Sequence, residues 1–60
     1  MLRINDVYQY QDLSVRILKI LSEHIVWIDI NDVKALPEII RKTELFHAIE
    51  SFEVFRIEDP

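Results

Sequence analysis

No glycine occurs anywhere in the sixty residues. Average usage near 7% would supply about four, and glycine is the residue that enters left-handed backbone conformations without steric cost. Every turn must therefore be made by a residue carrying a Cβ. Asn, Asp and Ser are the expected candidates, because their short side chains bond to nearby backbone and tolerate the left-handed region. The apolar residues carry a second bias: ten isoleucines and five valines stand against two alanines. Branched side chains are stiff at χ1 and suit a half-buried pleated surface better than a helix. A mainly β chain with tight, glycine-free turns is expected.

Sixty residues make one small domain, which buries only about 60% of the surface its unfolded chain exposes. Cysteine is absent and no ligand cluster suggests a structural metal, so apolar packing has to hold the fold. A hydrophobic content of 50% suffices for that and does not describe a disordered tail. No charge-free run approaches the ~18 apolar residues of a membrane span, and the opening from Met1 to Asp6 lacks the apolar core of a signal peptide. A soluble, intracellular chain is expected. The net charge of −4 argues against gripping nucleic acid by bulk positive charge; such a contact would need a local basic patch.

Along the chain, Leu2 to Tyr10 reads as a first strand with a bulge or bend at Asn5 and Asp6, and Gln11 to Ser14 as a polar break. Val15–Leu21 and Ile25–Ile30 are two apolar runs separated by Ser22, Glu23 and His24, which predicts a β-hairpin. Asn31 to Ala35 reads as a loop, and Pro37 biases Leu36 toward an extended conformation. Beyond it two readings stay open. Pro37 to Ser51 is one long helix, or Glu38 to Lys42 is a short strand and Thr43 caps a helix that has Glu44 in its first turn and Leu45, Phe46 and Ile49 facing the core. Ile39, Ile40 and Thr43 form helices poorly, which favours the second. Phe52 to Glu58 reads as a last strand, with Glu58, Asp59 and Pro60 as an exit. The expected fold is α+β, mainly β with one short helix, in the order β-β-β-β-α-β: a small half-open barrel of the SH3-like kind that shields its own edges.

Chemistry-bearing residues are sparse. Ser14, Ser22, Ser51 and Thr43 occupy turn or cap positions rather than a nucleophile's setting. Glu44 and His47 share a helix face at a spacing used in metal sites, but the pattern is not repeated, and His24 has no ligand beside it. Catalytic and metal-binding residues are therefore expected to be none. The cations carry more information: Lys34, Arg41 and Lys42, with Arg16 or Arg3, would form a small basic rim, against the plainer reading of scattered solvated charges. Arg16 and Lys19 lie three apart, so a regular strand would point them to opposite faces. Tyr8, Tyr10 and Trp27 offer flat faces for bases or for a partner; the competing reading makes Trp27 the central packing residue.

The segments Ile4-Asn5-Asp6-Val7, Val15-Arg16-Ile17-Leu18 with Ile20, Val26-Trp27-Ile28 with Ile30, the spaced Lys34 and Pro37, and Phe55-Arg56-Ile57-Glu58-Asp59-Pro60 together resemble the extreme N-terminus of TnsB-type transposases, over essentially all sixty positions. The pattern departs at Phe52, where a glycine is expected to close the helix, since a Cβ resists the left-handed cap. The resemblance implies an N-terminal accessory domain, residues 1–60, of a longer bacterial cytoplasmic protein that acts on the ends of heteromeric TnsABC-type transposons. It also implies that metal-dependent strand transfer, with magnesium and three acidic residues, belongs to a ribonuclease-H-like core that these residues cannot build. On this reading the domain needs no cofactor, Arg16, Lys34, Arg41 and Lys42 are candidate DNA contacts, and Tyr8, Tyr10 and Trp27 are candidate contacts to another transposase subunit or a second copy.

Overall fold

The predicted hairpin is the centre of the molecule. In a computed structural model that describes residues 2–57, strands β2 (Leu13–Ile20) and β3 (His24–Asp29) pair antiparallel from Val15↔Asp29 to Ile20↔Ile25. β1 (Val7–Tyr10) lies on the far side of β2, β4 (Glu38–Arg41) on the far side of β3, and β5 (Val54–Ile57) returns to pair with β1. The result is one five-stranded antiparallel sheet in the order β4-β3-β2-β1-β5. Its edges β4 and β5 do not pair with each other, so the barrel is half open, and the helix α1 (Lys42–Glu50) joins and packs against both. This is the expected element order and SH3-like architecture, with strand rather than helix over residues 38–41.

Side chains alternate across the sheet, as a period of two requires. Tyr8, Val15, Ile17, Ile25, Trp27 and Val54 point inward and are buried, and Leu45 of α1 completes the core from the open side. Leu2, Tyr10, Ile20, Ile40, Ala48 and Ile49 pack around it half-buried. Phe46, expected to face this core, is instead 46% exposed. On a helix of nine residues only one stripe faces the sheet, and Leu45, Ala48 and Ile49 fill it.

Three residues with side chains sit at positive φ: Asn5 at 76°, Gln11 at 54° and Phe52 at 61°. Asn5 delays the first strand, which begins at Val7: residues 3–6 form a turn closed by Asp6 N–H to the Arg3 carbonyl and by Arg3 N–H to Asp6 Oδ2. Gln11 and Asp12 are the two-residue link of the β1–β2 hairpin, whose register begins at Tyr10↔Leu13, and such links demand positive φ at their first position. Gln9 steadies this one, donating from Nε2 to the Gln11 carbonyl and accepting from Ser14 Oγ.

Thr43 is not the helix cap. Arg41 holds that place, with extended backbone (φ −77°, ψ 140°) and no side-chain cap hydrogen bond. The Lys42 N–H donates instead to the Glu23 carbonyl in the β2–β3 turn, at 2.9 Å. A tertiary contact thus satisfies a donor that a capping hydroxyl serves in other helices. At the other end Phe52 does what glycine was expected to do: its N–H reaches the Ile49 carbonyl and the Glu53 N–H reaches that of Ala48, the paired bonds of a Schellman closure. A left-handed residue with a Cβ is strained by roughly 1–2 kcal/mol. Phe52 is 78% exposed and contributes little packing, so Phe52→Gly should raise stability by about 1 kcal/mol, a rise of about 4–8 °C in the thermal midpoint. An unchanged or lower midpoint would contradict this account of the helix exit. The exit proposed for Glu58 to Pro60 lies outside the described residues.

Candidate functional site

The outward side of the sheet gathers cations that the sequence had separated. The β2–β3 register shifts between Ile17 and Lys19, so Arg16 pairs with Ile28 and Lys19 with Val26, while Trp27 between them pairs with buried Ile17. Ile28 and Val26 are two apart on β3 and share a face; Arg16 and Lys19 therefore share it too. A β-bulge at Leu18 supplies the extra residue. Arg41, opposite His24 at the end of β4, faces the same way. Among the described strand residues on this side, Val7, Gln9, Ser14, Val26, Ile28, Ile39, Phe55 and Ile57 complete the surface, and none is a carboxylate. A chain of net charge −4 has thus placed three cations on one sheet face with no carboxylate among the described strand residues beside them.

The four cations read from the sequence as DNA contacts divide between two places. Arg16 and Arg41 lie on this face. Lys42 follows Arg41 and shares with it a shallow cleft bounded by Ser22, Glu23 and His24. Lys34 lies in the 31–37 loop at the opposite end of the β3–β4 hairpin, where its N–H donates to Asp32 Oδ1. Lys19, which sequence reasoning set aside, joins the patch instead. The signal for it was present: in Val15-Arg16-Ile17-Leu18-Lys19-Ile20, strict alternation would drive an ammonium into the core, and one inserted residue avoids that cost.

The three aromatic residues face the other way. Tyr8 and Trp27, expected to present faces to a partner, are 4% and 7% exposed; both lie on the inward side of the sheet, which packing consumes in so small a barrel. Burial pushes the Tyr8 phenol above its usual range, Asp6 adds to the rise and Arg56 opposes it. Tyr10 remains half-buried at the rim, its ring 6.3 Å from that of Trp27 and tilted by 42°. The two rings line a groove of about 340 Å³ between the sheet and α1, edged by Glu38, Glu44 and Glu53.

Among the described residues, no three His, Cys, Asp or Glu side chains converge closely enough to hold a metal ion. No described helix is long and apolar enough to cross a membrane.

A family model described as the TnsB N-terminal SH3-like domain matches residues 1–60. The chain belongs to this family. As a TnsB N-terminal domain it has the SH3-like architecture that the family description states and the strand order shows. A search of curated proteins found no match.

Proposed function

We propose that this TnsB N-terminal domain is a noncatalytic part of a longer transposase and helps it dock on transposon-end DNA through the outward sheet face. The supporting observation is the bulge at Leu18, which puts Arg16 and Lys19 on one side with Arg41 and no carboxylate among the described strand residues there. Arg16, Lys19, Arg41 and the adjoining Lys42 would meet phosphates and set the position of the protein on the duplex, while base reading falls to domains beyond residue 60. Lys34, at the far end of β3, lies outside this contact.

The acidic catalytic triad, its magnesium and the strand-transfer reaction belong to that longer protein, acting in the bacterial cytoplasm where the transposon DNA lies. Other transposase subunits and further copies of this domain would lie beside it in the assembled protein–DNA complex.

The test compares the full-length transposase with a version lacking residues 1–60 on labelled transposon-end DNA over a range of salt. Each phosphate contact adds about 0.9 to the slope of log affinity against log salt. Removing the domain, with its four contacts, should flatten that slope by about 3.6 and shorten the protected footprint. Equal slopes and footprints would reject the proposal.

A further inference from the structure

The groove between Tyr10, Trp27 and α1 has features that the DNA reading does not use. Its edges are three carboxylates from three separate elements: Glu38 on β4, Glu44 in the first turn of α1 and Glu53 before β5. Among the described residues, none of the three accepts a side-chain hydrogen bond or joins an ion pair, and no lysine or arginine lines the groove. The floor supplies an independent observation. The Trp27 indole N–H has no hydrogen-bond partner among the described residues, and no described buried side-chain nitrogen or oxygen lacks one. The 7% of Trp27 that stays exposed therefore includes that N–H. Trp27 lines this groove and also a second depression bounded by Leu13, Asp29, Asp32 and Leu36. An accessible indole N–H without a protein partner is free to donate to an incoming acceptor.

We infer that this groove binds an extended, arginine- or lysine-bearing peptide segment of a partner protein. Charge complementarity selects a cation: a basic side chain laid on the Tyr10 and Trp27 rings gains a cation–π contact and ends among the carboxylates. The same charges repel phosphate, which disfavours nucleic acid in this groove. The free indole N–H suits a backbone carbonyl of the incoming chain. An extended occupant suits the surface, because the second depression, of about 250 Å³, adjoins the first and shares Tyr10, Trp27 and Glu38 with it. The DNA face and the peptide groove thus lie on opposite sides of one sheet, and either can be disabled without the other.

Trp27 is the single tryptophan, so its fluorescence reports directly on the groove. Titration with a short arginine–serine peptide at low salt should change that emission saturably, and the glutamine–serine counterpart should leave it unchanged. The triple variant Glu38→Gln, Glu44→Gln, Glu53→Gln touches only exposed residues and should bind the arginine peptide about tenfold more weakly or worse, since a carboxylate that meets a guanidinium acts as a charge-assisted hydrogen-bond acceptor. A second triple variant, Asp12→Asn, Glu23→Gln, Glu50→Gln, removes the same charge elsewhere and should bind as the parent does. Equal weakening in both triples would reduce the effect to net charge and overturn the inference. It would also be overturned if the emission responded to duplex DNA rather than to the peptide. An emission change that followed protein concentration alone, with a dimer in sedimentation, would identify a second copy as occupant and likewise overturn it.

Discussion

Replacing Leu45 by alanine should cost about 2–5 kcal/mol and leave the chain largely unfolded at 37 °C. Leu45 is 1% exposed and is the buried residue of α1. It enters the core from the side where β4 and β5 fail to meet, so no strand can collapse into the space it leaves. A domain of sixty residues without disulfide or metal has only a few kcal/mol in reserve, and a loss of this size takes most of it. Urea denaturation followed by Trp27 fluorescence would measure the change, with Phe46→Ala as its companion. Phe46 is one position further along the same helix but half exposed, and its removal should cost well under half as much. Similar losses for the two, or less than about 1 kcal/mol for Leu45→Ala, would show that the helix does not close the barrel as described.

What the sequence disclosed and what it concealed follow from which forces are local. The central hairpin was legible because Val15–Leu21 and Ile25–Ile30 are dense in branched residues and the link between them is polar. The short strand at Glu38–Arg41 was legible as one of two readings, because Ile39 and Ile40 resist a helix. Thr43 misled because capping by a hydroxyl is a local rule, whereas the Lys42 N–H is served by the Glu23 carbonyl from a distant turn. Gln11 was not readable as a left-handed residue, since hairpin register imposes φ there against residue preference; at Phe52 the place of a left-handed cap was marked, but not that a residue with a Cβ would take it. Tyr8 and Tyr10 both face inward by the period of two, and both lie opposite β5, a pairing about fifty residues away in sequence that no periodicity reveals. The candidate site shows the same division. Arg16, Arg41 and Lys42 were visible as charges, but the face they share with Lys19 exists only because of the bulge.

That bulge makes the neutralisation of Arg16, Lys19 and Arg41 the sharpest test of the DNA reading. Arg16→Gln, Lys19→Gln, Arg41→Gln in the full-length transposase should lower affinity for transposon-end DNA by about ten- to hundredfold at low salt and flatten the salt slope by about 2.7, or 0.9 for each phosphate contact. All three residues are exposed, so the fold should persist, and a thermal midpoint near that of the parent would establish that the defect lies in binding and not in folding. Lys34→Gln removes the same charge at the other end of β3 and should leave the slope within about 0.3 of the parent. Lys19→Gln alone is the decisive member of the set. In a regular strand Lys19 would oppose Arg16 across the sheet and its neutralisation would leave DNA binding untouched; with the bulge at Leu18 it should cost as much as Arg16→Gln. If Lys19 behaves like Lys34 and not like Arg16, the outward face is not the surface that meets the duplex.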